Sequence, residues 1–246
     1  MRLYHASTQT VSEPKIVNRS PYLDFGTGFY TTTNLAQAED FARKAFVRRG
    51  MEGAPTLNSY ECDMERAGRE LRVLEFSEPN EEWLEFVVHN RKQGRDKALE
   101  VDIIIGPVAN DDVFTTVTLY EQGQITARAA LEMLKIKELF TQILFCNDKA
   151  LERLTFESAR TVERRGRMAK SPEQLSVLLG TATLPGLFER LGFTEPCQIE
   201  EFYASNFYEL LRNPDSGLWH LSSAALADLY RQEVERGFFD DPEEQS

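Results

Sequence analysis

Histidine and cysteine, the residues from which metal centres and disulfide frameworks are built, are scarce in this chain, with three of each among 246 residues. The cysteines, Cys62, Cys146 and Cys197, are dispersed, odd in number and never in a C-x-x-C pair. That pattern argues against a structural zinc site and a disulfide framework, and suits reduced cytoplasmic thiols. His89 and His220 lack a Cys or His neighbour at ligand spacing, so no metal is implied. No run approaches the ~18 apolar residues needed to cross a bilayer, and "MRLYHASTQT" is no signal peptide. A cytoplasmic chain without membrane contact is expected. H-E-x-x-H, P-loop and G-x-S-x-G motifs are also missing.

Positive charge is in short supply too, and the net charge is −12. Residues 171–246 hold four Lys/Arg against fourteen Asp/Glu, a balance of −10, which leaves 24 against 26 in residues 1–170. An acidic C-terminal part works against general nucleic-acid affinity, which needs cations to displace counterions from phosphates. The local exception is "ARTVERRGRMAK", with Arg160, Arg164, Arg165, Arg167 and Lys170, which reads as a solvated basic linker over 158–172.

What is present is the composition of a globular protein, 41% hydrophobic and 28% charged. "RLYHA" and "GFYTTT" read as strands separated by a Pro-interrupted loop. "NLAQAEDFARKAFVRRG" is an amphipathic helix, with Leu35, Ala38, Phe41, Ala42, Ala45 and Phe46 on one face. Asn34 and Gln37 form a capping box at its start, and Arg48, Arg49 and Gly50 a basic, glycine-closed end. "NSYECDM", "LRVLEF", "EVDIIIGPV" and "LFTQILFC" read as strands. "NEEWLEFVVHNR", "DDVFTTVTLYEQG", "TARAALEMLK" and "NDKALERL" read as helices. Strands and helices do not alternate regularly. The fold class is therefore α+β with a split, mostly antiparallel sheet over 1–157, and a small acidic helical domain over 173–246. In that tail, Leu184, Leu187, Phe188 and Leu191 read as a face of its own core.

Two stretches carry chemistry. "LYHAS" puts Tyr4 and His5 before the small residues Ala6 and Ser7, which let a ligand approach the main chain. "DFGTGFYTTT" sets Gly26 and Gly28 among Phe25, Phe29 and Tyr30, flat faces suited to stacking on an aromatic ring. The glycines are not the dinucleotide fingerprint, because no third glycine and no helix follow. Phe25 and Phe29 are equally readable as core.

Together these motifs resemble the ADP-ribosyltransferase superfamily, in the branch of diphtheria toxin and the poly(ADP-ribose) polymerases. More closely, "LYHAS", "DFGTGFYTTTN", "QAEDFA", "EWLEFVVHNR" and "DIIIGPVANDDVF", in that order, are similar to an uncharacterised bacterial domain family assigned to it. The resemblance covers roughly residues 1–157. It implies a cleft that takes NAD as co-substrate. His5 would hold the adenosine ribose, the Ala6 main chain the carboxamide, and Tyr30 would stack on the nicotinamide ring. A third residue, usually glutamate at the start of a late strand, supports the oxocarbenium-like transition state as nicotinamide leaves. By chain order that position falls on Gln142, a departure from the pattern. Competing carboxylates are Glu81, Glu82 and Glu85, or the loop pair Asp111 and Asp112.

The expected activity is mono-ADP-ribosyl transfer to a macromolecular acceptor, protein or nucleic acid, with a toxin or defence role by analogy. A catalytically weak or inactive NAD or ADP-ribose binding module is the first alternative. The second is an interaction protein whose acidic residues 173–246 bind a protein partner.

Overall fold

Period-two burial shapes the first strand, β1 (Arg2–Ser7): Leu3, His5 and Ser7 are buried on one face, Tyr4 and Ala6 half-buried on the other. The computed structural model describes residues 1–17, 20–108, 111–135, 139–163 and 171–241, with the backbone alone at 111 and 112. After a loop come β2 (Phe29–Thr32) and α1 (Leu35–Arg48). The Asn34 side chain accepts from the Gln37 N–H at 2.9 Å. The expected capping box is half formed, because the Gln37 side-chain oxygen instead accepts from the Thr32 hydroxyl at 2.7 Å. Of the expected apolar face of α1, Leu35 is exposed and Phe41 half-buried, while Ala38, Ala42, Ala45 and Phe46 are buried.

The chain continues through β3 (Thr56–Glu61), α2 (Met64–Glu70), β4 (Val73–Glu75), α3 (Glu81–Gln93) and β5 (Ile103–Val108). Helices α4 (Asp111–Glu121) and α5 (Ala127–Leu134) lead to β6 (Phe140–Phe145), the short α6 (Asp148–Leu151) and β7 (Thr155–Thr161). The seven strands form one sheet in the order β4-β5-β6-β2-β1-β3-β7. Every neighbouring pair is antiparallel except β4 and β5. The mixed α/β, mostly antiparallel architecture expected from the sequence is therefore present. β1 registers with β3 over six residue pairs and β2 with β6 over four, whereas β1 meets β2 at the single pair Tyr4↔Thr32. The two halves of the sheet part at that seam.

Strand β7 corrects the expected linker. It pairs with β3 from Glu61↔Thr155 to Thr56↔Thr161, so the boundary expected at residue 157 falls inside a strand. β7 is an edge strand with little burial on either face, and so lacks the alternation that would betray it. Arg160 sits on this strand and pairs with Glu39 of α1. Arg164, Arg165, Arg167 and Lys170 lie outside the described residues.

The C-terminal part is helical as expected. It runs through α7 (Pro172–Leu178), a π-helical turn, α8 (Leu184–Leu191), α9 (Pro196–Tyr203) and α10 (Asn206–Leu211). Two 3-10 turns, Pro214–Ser216 and Leu218–His220, then precede α11 (Ser223–Arg236). Leu184, Leu187, Phe188 and Leu191 do pack into its core, but that core also takes in Leu23 and Phe114, and Tyr22 and Tyr30 lie against it. The helices thus share a core with the sheet-bearing part. Arg48, in the basic last turn of α1 as expected, is a second join. It is buried, donating from Nε to the Ser216 carbonyl at 2.6 Å and from Nη1 to Asp241 at 3.1 Å.

Candidate functional site

At the seam between β1 and β2 the sheet opens into a narrow cleft of about 900 Å³, open solvent at its mouth included. Its floor follows from strand parity. Tyr4 pairs with Thr32 and Thr32 with Gln142, and alternation puts Ala6 and Tyr30 on that same face. Tyr4, Ala6, Tyr30, Thr32 and Gln142 all line the cleft. Three strands remote in sequence thus bring three of the motif positions and the late-strand glutamine into one place. Helix α1 adds Gln37 and Phe41, and the C-terminal turn adds His220, Leu221 and Ser222.

Tyr30 is a ring held by its hydroxyl. The phenol donates to the Gly26 carbonyl at 2.6 Å and accepts from the Phe25 N–H at 3.2 Å. Burial pushes its pKa well above the ordinary 10.0, helped by the neighbouring Asp24 charge, so the phenol stays neutral. His5 also borders the cleft, but by parity its ring belongs to the opposite face, where it lies 4.2 Å from the Phe29 ring. Its Nδ1 is 2.8 Å from the Tyr30 carbonyl oxygen, which can only accept, so Nδ1 carries the proton.

The other motif residues are placed elsewhere. Ser7 is fully buried on the His5 face, its hydroxyl accepting from the Gln9 N–H at 3.3 Å. Phe29 is core on that same face, with Leu3 and Tyr60. Phe25 is fully buried, its Cζ 3.0 Å from where a Cβ on Gly106 would sit, so it fills space that Gly106 leaves. Neither phenylalanine lines the cleft. The two glycines are closely packed, and neither lines the cleft. Gly26 has φ +76 and a Cβ there would meet the Arg95 Cβ at 2.7 Å, while one on Gly28 would meet Leu144 at 2.5 Å and the Phe145 carbonyl at 2.7 Å. The competing carboxylates Glu81, Glu82 and Glu85 are exposed on α3 and do not line the cleft. The side chains of Asp111 and Asp112 lie outside the described residues.

Three charged side chains at the cleft are not found by motif reading. Arg48 is one, and Asp24 and Arg91 are the others. Arg91 is buried and donates to Asp24 at 3.0 Å and Glu121 at 3.2 Å, with the His220 carbonyl at 3.4–3.5 Å and the Phe114 ring 5.1 Å from its carbon. Burial works against its charge, but the two carboxylates outweigh that and raise its pKa. A signal for Asp24 existed: it stands immediately before the glycine turn. Arg91 offered none, as a helical arginine in an ordinary amphipathic pattern. Among the described residues, no three His, Cys, Asp or Glu side chains converge as a metal site requires, and no helix is long and apolar enough to cross a membrane.

A family model described as "Protein of unknown function (DUF3990)" matches residues 1–156. No curated protein and no solved structure matched the chain. The matched span takes in the cleft positions on β1, β2 and β6 and stops two residues into β7, short of the His220–Ser222 wall. By that match, which covers well over half of its length, the chain belongs to the DUF3990 family of proteins of unknown function.

Proposed function

We propose that the chain is a mono-ADP-ribosyltransferase that takes NAD in the β1/β2 cleft and passes ADP-ribose to a macromolecular acceptor. The observation that carries this reading is the convergence of Tyr4, Ala6, Tyr30 and Gln142 on one cleft face, with His5 at its border. The residues suit the co-substrate. The anchored Tyr30 ring offers a stacking face, and Gln142, Gln37 and Thr32 offer hydrogen bonds to hydroxyls. Tyr30 would stack on nicotinamide, the Ala6 main chain would meet the carboxamide, His5 the adenosine ribose and Gln142 the nicotinamide-side ribose. The glycosidic C–N bond breaks with its electron pair going to nicotinamide, the ribose carbon takes up positive charge, and an acceptor nucleophile bonds to it and gives its proton to solvent. In that sequence the chain positions and stabilises.

Gln142 favours a second reading, a cleft that binds NAD or ADP-ribose with little turnover. A neutral amide can bond a ribose hydroxyl but brings no charge to the developing cation, and loss of such a stabiliser costs about 10²–10³ in rate. Nicotinamide release from NAD by the full chain with cell lysate separates the two. Release that vanishes in Tyr30→Ala supports the transferase. Release only from Gln142→Glu supports the binding module. Silence from wild type and Gln142→Glu alike, with no NAD bound, sinks both.

A further inference from the structure

Among the described residues that line the cleft, Asp24 is the one carboxylate. It is fixed on several sides. Arg91 Nη1 donates to its Oδ1 at 3.0 Å, and the Asn90 amide donates to its backbone carbonyl at 3.0 Å. The two residues that follow it, Phe25 and Gly26, hold the Tyr30 hydroxyl. Its second oxygen, Oδ2, makes no hydrogen bond among the described residues. Arg91 does not neutralise it, because Arg91 is shared with Glu121 and the three groups together carry one net negative charge. Of the other cations nearby, Arg48 is paired with Asp241, and Arg95 is turned to the Phe25 carbonyl and the Cys146 sulfur.

A held carboxylate beside a held aromatic ring selects for one kind of ligand group. The negative face of the tyrosine ring and the carboxylate both attract a flat cation, and a neutral ring of the same shape keeps the stacking but loses that attraction. We propose that Asp24 is a specificity-determining residue that makes the cleft prefer a positively charged planar ring, the oxidised nicotinamide, over its neutral reduced form. The assignment rests on the NAD reading above and adds to it the redox state of the co-substrate.

Calorimetric titration of the full chain with NAD and with NADH, in buffer without acceptor, tests it beside Asp24→Asn. The asparagine oxygen can still accept from Arg91. Wild type is expected to bind NAD about tenfold more tightly than NADH, the equivalent of ~1.4 kcal/mol. Asp24→Asn should remove the preference by weakening NAD while leaving NADH as it was. Equal affinities in wild type, or a preference that survives in Asp24→Asn, would overturn the assignment and leave the NAD reading standing. Binding of neither dinucleotide would overturn both. Should Asp24→Asn fail to fold, Asp24→Ser takes its place, its hydroxyl oxygen still able to accept from Arg91, with the same two outcomes.

Discussion

The carbonyl oxygen of Tyr30 accepts a 2.8 Å hydrogen bond from Nδ1 of His5, across the seam where the two halves of the sheet share a single backbone pair. A side chain thus substitutes for ladder bonds that diverging strands cannot make. The same imidazole rests 4.2 Å from the Phe29 ring, so packing and hydrogen bonding fix it together. The histidine of the "LYHAS" motif therefore has a structural task besides any contact with ligand.

That double attachment sets the cost of losing it. His5→Ala opens a space against Phe29 and strips the Tyr30 carbonyl of its imidazole donor. A destabilisation of about 2–4 kcal/mol is expected. The urea midpoint should fall without a change in the slope of the transition.

Tyr30→Phe separates the ring from its anchor. The stacking face survives, but the Gly26 carbonyl and the Phe25 N–H lose the hydroxyl that serves both. Stability should drop by about 1–3 kcal/mol. NAD affinity measured calorimetrically should fall less than in Tyr30→Ala, which loses the ring as well. Equal losses in the two variants would mean that the ring face does not touch the ligand.

Much of the fold was legible because its strands and helices carry the periodicity of half-buried elements, as α3 does through Trp83, Leu84 and Val87. Strand parity was legible too. Once Tyr4, Ala6 and Tyr30 are placed on the cleft face, Ser7 and Phe29 are committed to the other, and the His5 ring with them. The ADP-ribosyltransferase resemblance joined all of these positions in one ligand set, which pleating does not permit for every side chain. Strand β7 was illegible because an edge strand exposed on both faces shows no period. The buried Arg48 was illegible because its partner, Asp241, stands 193 residues away and nothing local marks it. The cleft wall at His220, Leu221 and Ser222 was hidden for the same reason.

Acid stability should depend on Asp102, which is 2% exposed at the end of the sheet. Burial works to raise its pKa, but the Arg72 N–H at 2.8 Å, the Asn147 amide at 2.9 Å, the Arg72 guanidinium and Lys149 outweigh it. They hold the carboxyl at about 2, below the ordinary 3.8. A carboxyl depressed in the folded state contributes stability that is fully present above its unfolded pKa and is lost as pH falls through the folded one. Its contribution of about 2 kcal/mol should therefore be complete above pH ~4 and fade between pH ~4 and ~2. Urea denaturation of wild type and Asp102→Asn across that window checks it. The stability gap between the two should narrow as the pH drops, and a constant gap would remove Asp102 from the account.

Arg48 and Asp241 tie the C-terminal helices to α1 at the edge of the cleft, with both side chains 1% exposed. Removing one partner of a buried pair leaves the other charge in a poorly solvated place, which costs about 3–5 kcal/mol. Asp241→Ala should lower stability by that amount. Replacing both partners with apolar residues of similar volume, Arg48→Met with Asp241→Leu, should recover part of it. Because Leu23, Phe114 and Tyr30 pack with the helices, unfolding should stay a single transition in both variants. Tryptophan fluorescence and far-ultraviolet circular dichroism would report it: Trp219 lies in the shared helical core and Trp83 in the core beneath the sheet. Separate transitions would mean that residues 171–241 fold as a body of their own, and would restore the two-part organisation expected from the charge distribution.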